Sequence, residues 1–138
     1  MTDFNRFVAP PDHGDPDGRS VAQASACLDC ITAAFNACDV TGMDSALHFP
    51  HVMLSGAKQV VWLTAGQHPA DFFDKLKASG WHCTRYEAQE PVLVSLDKVH
   101  FVVTYTRRAA DGSVLSRHKN LWIVTRVAGT WGIALRSF

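Results

Sequence analysis

Two hydrophobic periods divide this chain. Val21, Ala24, Leu28, Ile31, Ala34 and Phe35 recur at intervals of three and four residues, the spacing of one helical face. Ser20, with Gln23 three residues on, fits a capping box at the start of that helix. The helix is expected to run to Cys38 or Asp39, where Thr41-Gly42 breaks it. Met43, Ala46 and Leu47 predict a short second helix, stopped by Pro50 because the residue before a proline disfavours helix. A third helix is expected to open at His68-Pro69, with proline where its missing N–H costs nothing. Phe72, Phe73 and Leu76 give it an apolar face, and Ser79-Gly80 closes it.

Elsewhere the period drops to two. His51, Met53 and Ser55 alternate with Val52 and Leu54, and Gly56-Ala57 turns the chain into a second short strand over residues 58–64. The last 58 residues read as antiparallel sheet: 81–95, 98–108, 114–127 and 131–138, separated by Leu96-Asp97, Asp111-Gly112 and Ala128-Gly129. The expected architecture is α+β, three N-terminal helices packed on a curved antiparallel sheet. Val102, Trp122, Val124, Ile133 and Leu135 supply more apolar bulk than one face needs, which predicts a homodimer through the outer sheet face. Pro10-Pro11, Asp15-Pro16 and Asp17-Gly18 make residues 1–19 an N-terminal arm, leaving 20–138 as a single domain.

Composition narrows the function classes. With 138 residues, 47% of them hydrophobic, the chain can bury one real core. Thirteen Lys+Arg balance thirteen Asp+Glu, so it lacks the positive excess that nucleic-acid binding draws on. No apolar run approaches the roughly 20 residues that span a bilayer, and the first twenty residues do not read as a signal peptide, so a cytoplasmic protein is expected. Cys27 and Cys30 form a C-x-x-C, but inside a helical pattern and without four converging ligands; they read as small core residues rather than a metal or redox site. Phosphate-binding glycine loops and a serine elbow are absent, so neither a cofactor nor a nucleophilic mechanism is expected.

The helix end Asn36-x-x-Asp39, then Gly42 and a short apolar helix leading into a strand, with the late Gly129-x-Trp131-Gly132-Ile133, resembles the nuclear-transport-factor-2-like superfamily over residues 20–138. That superfamily includes SnoaL-type polyketide cyclases, ketosteroid isomerase and scytalone dehydratase. The resemblance implies a cystatin-like cone whose sheet and helices enclose a pocket. The isomerase's tyrosine and two aspartates fall near Ile31, Ser55 and Leu121, none of which can act as its donor or base, so that chemistry is not expected. The dehydratase pattern places a histidine after the third helix, here His82, and an aspartate at the end of the first, here Asn36. The register further implies that Asp39 caps the second helix.

His82 is accordingly the candidate acid or base, since histidine exchanges protons near neutral pH, with Asn36 or Tyr105 orienting it. His51, Ser55, Trp62, Phe72, Trp81, Tyr105, Arg107, Leu121 and Arg136 are the candidate ligand-binding residues. The aromatic ones, with Phe73, suit a flat, apolar ligand. Arg107 and Arg136 could clamp a carboxylate, or reach water or a partner such as Glu87 or Glu90. His48 and His51 lie close together without a neighbouring carboxylate, which favours structural or ligand-contacting roles over a metal. Two readings stay open: a cofactor-independent isomerase, cyclase or dehydratase acting on a small hydrophobic molecule, and a non-catalytic ligand-binding or dimeric assembly module.

Overall fold

A computed structural model describes residues 5–8 and 14–138. Of the proposed N-terminal arm, residues 1–4 and 9–13 therefore lie outside the described residues. A single turn, α1 (Asn5–Val8), precedes α2 (Arg19–Asn36), α3 (Val40–Ser45), β1 (Leu47–Ser55) and β2 (Lys58–Trp62). Then come α4 (Phe72–Ala78), β3 (Cys83–Val94), β4 (Lys98–Arg108), β5 (Val114–Val127) and β6 (Thr130–Ser137). The strands form one six-stranded sheet in the order β2-β1-β6-β5-β4-β3, antiparallel except where β1 runs parallel to β6. The expectation of three N-terminal helices needs correcting. One 18-residue helix does most of the packing, the others are short, and α4 follows β2.

Local chemistry accounts for the element ends. Helix α2 is capped neither by Ser20 nor by a Ser20–Gln23 box. Gly18 takes a left-handed conformation (φ 66°), and the Asp15 carboxylate accepts from the N–H groups of Ser20 (3.0 Å) and Val21 (3.1 Å). That places a negative charge at the positive end of the helix and satisfies two free donors. Ser20 Oγ donates instead to the Leu96 carbonyl, and Gln23 accepts from the Trp131 indole. Asp39 caps α3 by accepting from Gly42 N at 3.0 Å. The helix stops at Ala46, four residues before Pro50, because the chain pairs with β6 from Leu47 onward and Pro50 lies within β1.

The core lies between α2 and the concave face of the sheet. Ala24, Leu28 and Ile31 face Val99, Phe101, Val103, Tyr105, Trp122, Val124 and Ile133. Fully burying one such aliphatic side chain contributes about 2 kcal/mol. Trp122, Val124 and Ile133 thus belong to the core, not to the outer face. In β6 the register decides this. Ile133 pairs with Val124 and Leu135 with Ile123, so Ala134 is the extra residue of a β-bulge. The bulge turns both Ile133 and Arg136 inward, although they stand three positions apart and strict alternation would oppose them. Val102, Leu121, Ile123 and Leu135 remain half-buried on the outer face. No described helix is long and apolar enough to cross a membrane.

Candidate functional site

Between the sheet and helices α2, α3 and α4 lies a cavity of about 310 Å³. Its walls are mostly apolar: Ile31, Phe35, Met43, Met53, Trp62, Phe72, Tyr86, Trp122 and Phe138 contribute, with Arg107, Arg136, His68, Thr84 and Tyr105 as polar groups. That volume is at the small end of ligand pockets and suits a compact molecule. Of the expected ligand-binding residues, Trp62, Phe72, Tyr105, Arg107 and Arg136 meet there.

Arg136 is the centre of the polar arrangement. It is buried at 8% exposure, yet no carboxylate among the described residues lies within ion-pair distance. Its Nε donates to His51 Nε2 at 3.0 Å, and one terminal nitrogen lies 3.5 Å from Met53 Sδ. Its guanidinium lies over the Trp122 and Phe138 rings, 5.9 and 5.8 Å from their centroids, two cation–π contacts. Burial pushes its pKa down to about 10, which still leaves a full cation at neutral pH.

His51 explains how that cation is held. Its imidazole is fully buried, with Nδ1 2.9 Å from the Ile133 carbonyl. Nδ1 must donate to that oxygen, so Nε2 is the acceptor that Arg136 needs. Desolvation, then the Arg136 charge, push its pKa down to about 4, so it stays neutral. His51 therefore positions Arg136 from behind the cavity wall instead of touching a ligand. His48 goes its own way, with Nδ1 3.0 Å from Thr125 Oγ1 and its ring where a side chain at Gly132 would sit. No group of three metal-ligating side chains occurs among the described residues.

Arg107 enters from β4, its Nε buried without a hydrogen-bond partner among the described residues. Neither Glu87 nor Glu90 serves it: Glu87 makes a two-pronged pair with Arg117 at 3.0 and 2.8 Å. Tyr105 stacks on His118 at 4.9 Å, and its hydroxyl accepts from Asn120 Nδ2. The Trp122 indole N–H also lacks a partner among the described residues.

Several expected site residues lie elsewhere. His82 is exposed just before β3; its backbone N–H bonds Arg108, and its side chain does not line the cavity. Asn36 cannot orient it, because both ends of its amide are taken by the Thr84 backbone (2.9 and 2.8 Å), fastening α2 to β3. Ser55 is exposed at the end of β1, and Leu121 sits on the outer face beside inward-facing Trp122. Trp81 is buried one layer back, donating to Thr84 Oγ1 and packing edge-on against Phe35. Cys27 is buried with its thiol pKa pushed up to about 11 by desolvation, while Cys30 is exposed, so the C-x-x-C is no reactive pair.

Sequence reasoning missed a second polar pair. His68, read as a helix opener, sits in the β2–α4 connection and lines the cavity, with Nε2 3.1 Å from Asp44 Oδ1 of α3. Neither residue belongs to a local motif that could have revealed the pairing.

No protein-family profile matches this chain, and no curated protein does. Solved structures do, among them these at low identity. A ketosteroid isomerase-like protein from Erwinia carotovora atroseptica aligns over 89% of this chain and 95% of its own, with TM-score 0.63 and 19% identity. A nuclear-transport-factor-2-like protein with a cystatin-like fold from Novosphingobium aromaticivorans covers 86% and 80%, with TM-score 0.67 and 12% identity. A protein of unknown function from Mycobacterium tuberculosis covers 92% and 76%, with TM-score 0.64 and 14% identity. The chain therefore has the nuclear-transport-factor-2-like, cystatin-like fold. Likeness at this level defines the scaffold, and function must be argued from the site.

Proposed function

We propose that this protein binds a small, largely apolar molecule carrying an anionic group, with that group on Arg136 and Arg107. The observation that carries this reading is the buried Arg136 cation, held by neutral His51 and two aromatic rings, without an acidic partner among the described residues. A buried cation is costly unless something compensates it. A ligand carboxylate would compensate it with charge-assisted, two-pronged hydrogen bonds. The apolar walls, Trp62, Phe72 and Trp122 among them, would enclose the rest of the ligand.

The test is titration of tryptophan fluorescence with 1-naphthoate and 3-phenylpropanoate beside their neutral amides. A charged hydrogen-bonded contact of about 2 kcal/mol predicts roughly 10- to 100-fold preference for the acids, abolished in Arg136→Gln. Equal binding of acid and amide, or no binding of either, would overturn the reading. The same fold neighbours include isomerase-like proteins, so catalysis on the bound acid is the natural extension. A homodimer through the outer sheet face goes with it, supported by the half-buried strip of Val102, Leu121, Ile123 and Leu135. Analytical ultracentrifugation of the wild type and of Ile123→Lys reads that out directly.

A further inference from the structure

Asp44 and His68 have no part in the anion clamp, yet His68 lines the same cavity and Asp44 stands behind it, outside the lining. Their side chains are 9% and 7% exposed, and His68 Nε2 lies 3.1 Å from Asp44 Oδ1. The approach is bent, so neither atom has an in-line hydrogen-bond partner among the described residues. Hydrogen bonds between catalytic groups commonly tighten into line only when a ligand enters. The other carboxylate oxygen accepts from Gly66 N at 2.9 Å, which fixes Asp44 and ties down the loop that carries His68. The Trp62 ring stands edge-on to the imidazole at 4.5 Å and sets its plane. With Nε2–H turned toward a carboxylate, the free lone pair of the neutral ring is on Nδ1. That nitrogen makes no hydrogen bond among the described residues, in a side chain that lines the cavity with Arg136 and Trp122.

Resting on the anion-clamp reading, we propose that Asp44 and His68 form a general-base pair acting on an enolisable carboxylic acid, an oxo acid whose carboxylate sits on Arg136. His68 Nδ1 takes a proton from the carbon beside the carbonyl. The C–H bond breaks, its electron pair forms the enolate C=C bond, and the negative charge moves to the carbonyl oxygen. The new N–H bond makes an imidazolium that the Asp44 carboxylate stabilises. Returning the proton to the same carbon or to another conjugated position completes an exchange or an isomerisation. No oxidant, reductant or second substrate enters the balance. Of the groups that line the cavity, the unpartnered Trp122 N–H would receive the enolate charge, with Arg107, whose Nε is likewise unpartnered, shared between the carboxylate and the enolate oxygen. His68 is then the catalytic residue and Asp44 a positioning residue.

The experiment uses phenylpyruvate and 4-phenyl-2-oxobutanoate as probes. Proton NMR in D₂O follows exchange beside the ketone, and tryptophan fluorescence follows binding. Wild type is expected to accelerate exchange at least 100-fold over buffer, and H68Q to lose that acceleration while binding each probe within about threefold. D44N keeps an oxygen to accept from Gly66 but loses the charge. Its exchange rate should fall about tenfold, and the pH midpoint of the rate should move down, because the Arg136 cation from β6 then faces His68 with no opposing carboxylate, the neighbouring His51 from β1 being neutral. A structural role for Asp44 would not move that midpoint. Probe binding with exchange at the buffer rate overturns the base pair and leaves the clamp standing. An H68Q protein that exchanges as fast as wild type does the same. Failure of both probes to bind overturns the clamp, and this proposal with it.

Discussion

Replacing His51 with Asn should flatten one part of the pH dependence of stability. In the fold the imidazole is fully buried and neutral, with a pKa near 4 against 6.5 in its ordinary state. Because the folded value is the lower one, the unfolded chain binds more protons between these two values. Stability from this group is complete above 6.5 and drains away as pH falls toward 4. At pH 4.5 the unfolded imidazole is almost wholly protonated and the folded one mostly neutral, which costs the fold about 2.5 kcal/mol relative to pH 7. His48, His68, His100 and His118 are all shifted down by burial and add to the same slope. The quantity to measure is therefore the difference between wild type and His51→Asn, from urea unfolding at pH 7 and 4.5. At pH 7 the variant should be less stable by about 2 kcal/mol, since it loses a buried ring that bridges Ile133 and Arg136. At pH 4.5 that gap should nearly close. If the gap is unchanged or wider at pH 4.5, His51 is not the neutral acceptor for Arg136, and the account of how the clamp is oriented fails.

Other outcomes follow from the same contacts. Asn36→Ala should cost about 2 kcal/mol in thermal or urea unfolding, because both backbone groups of Thr84 lose their partner. His82→Ala, at an exposed position, should change stability by less than about 0.5 kcal/mol and leave probe binding unaltered in the same fluorescence titration. Phe101→Ala, at 1% exposure beneath α2, should cost about 3–5 kcal/mol by the same unfolding measurement. Asp15→Ala should cost about 1 kcal/mol in the same measurement, since the carboxylate caps two N–H groups of α2; unchanged stability would contradict the assigned cap.

The local periods in the sequence were enough to specify α2 and the three turns of the C-terminal meander, while the Asp39 cap came from the family resemblance. For the first two, neighbours a few residues apart carry the information: the three–four spacing of Leu28 and Ile31, and Asp111-Gly112 between β-rich runs. Alternation put Tyr105 and Arg107 on one face of β4, since no bulge interrupts that strand between Val99 and Arg107 in its pairing with β5; that this face is the concave one was implied by the family register.

What tertiary structure decided depends on contacts between distant segments. The bulge at Ala134 sets which way Ile133 and Arg136 face, and it exists only in the pairing of β6 with β5. Pairing of Leu47 with β6 overrode the helix stop read at Pro50. Asn36 faced Thr84 and not His82, since strand ends turn side chains by register rather than by proximity in sequence. The His51–Arg136 clamp and the Asp44–His68 pair join residues that share no local pattern. A chain written in one dimension records propensities along itself; which charge is buried beside which acceptor is settled only when strands from opposite ends of it lie side by side.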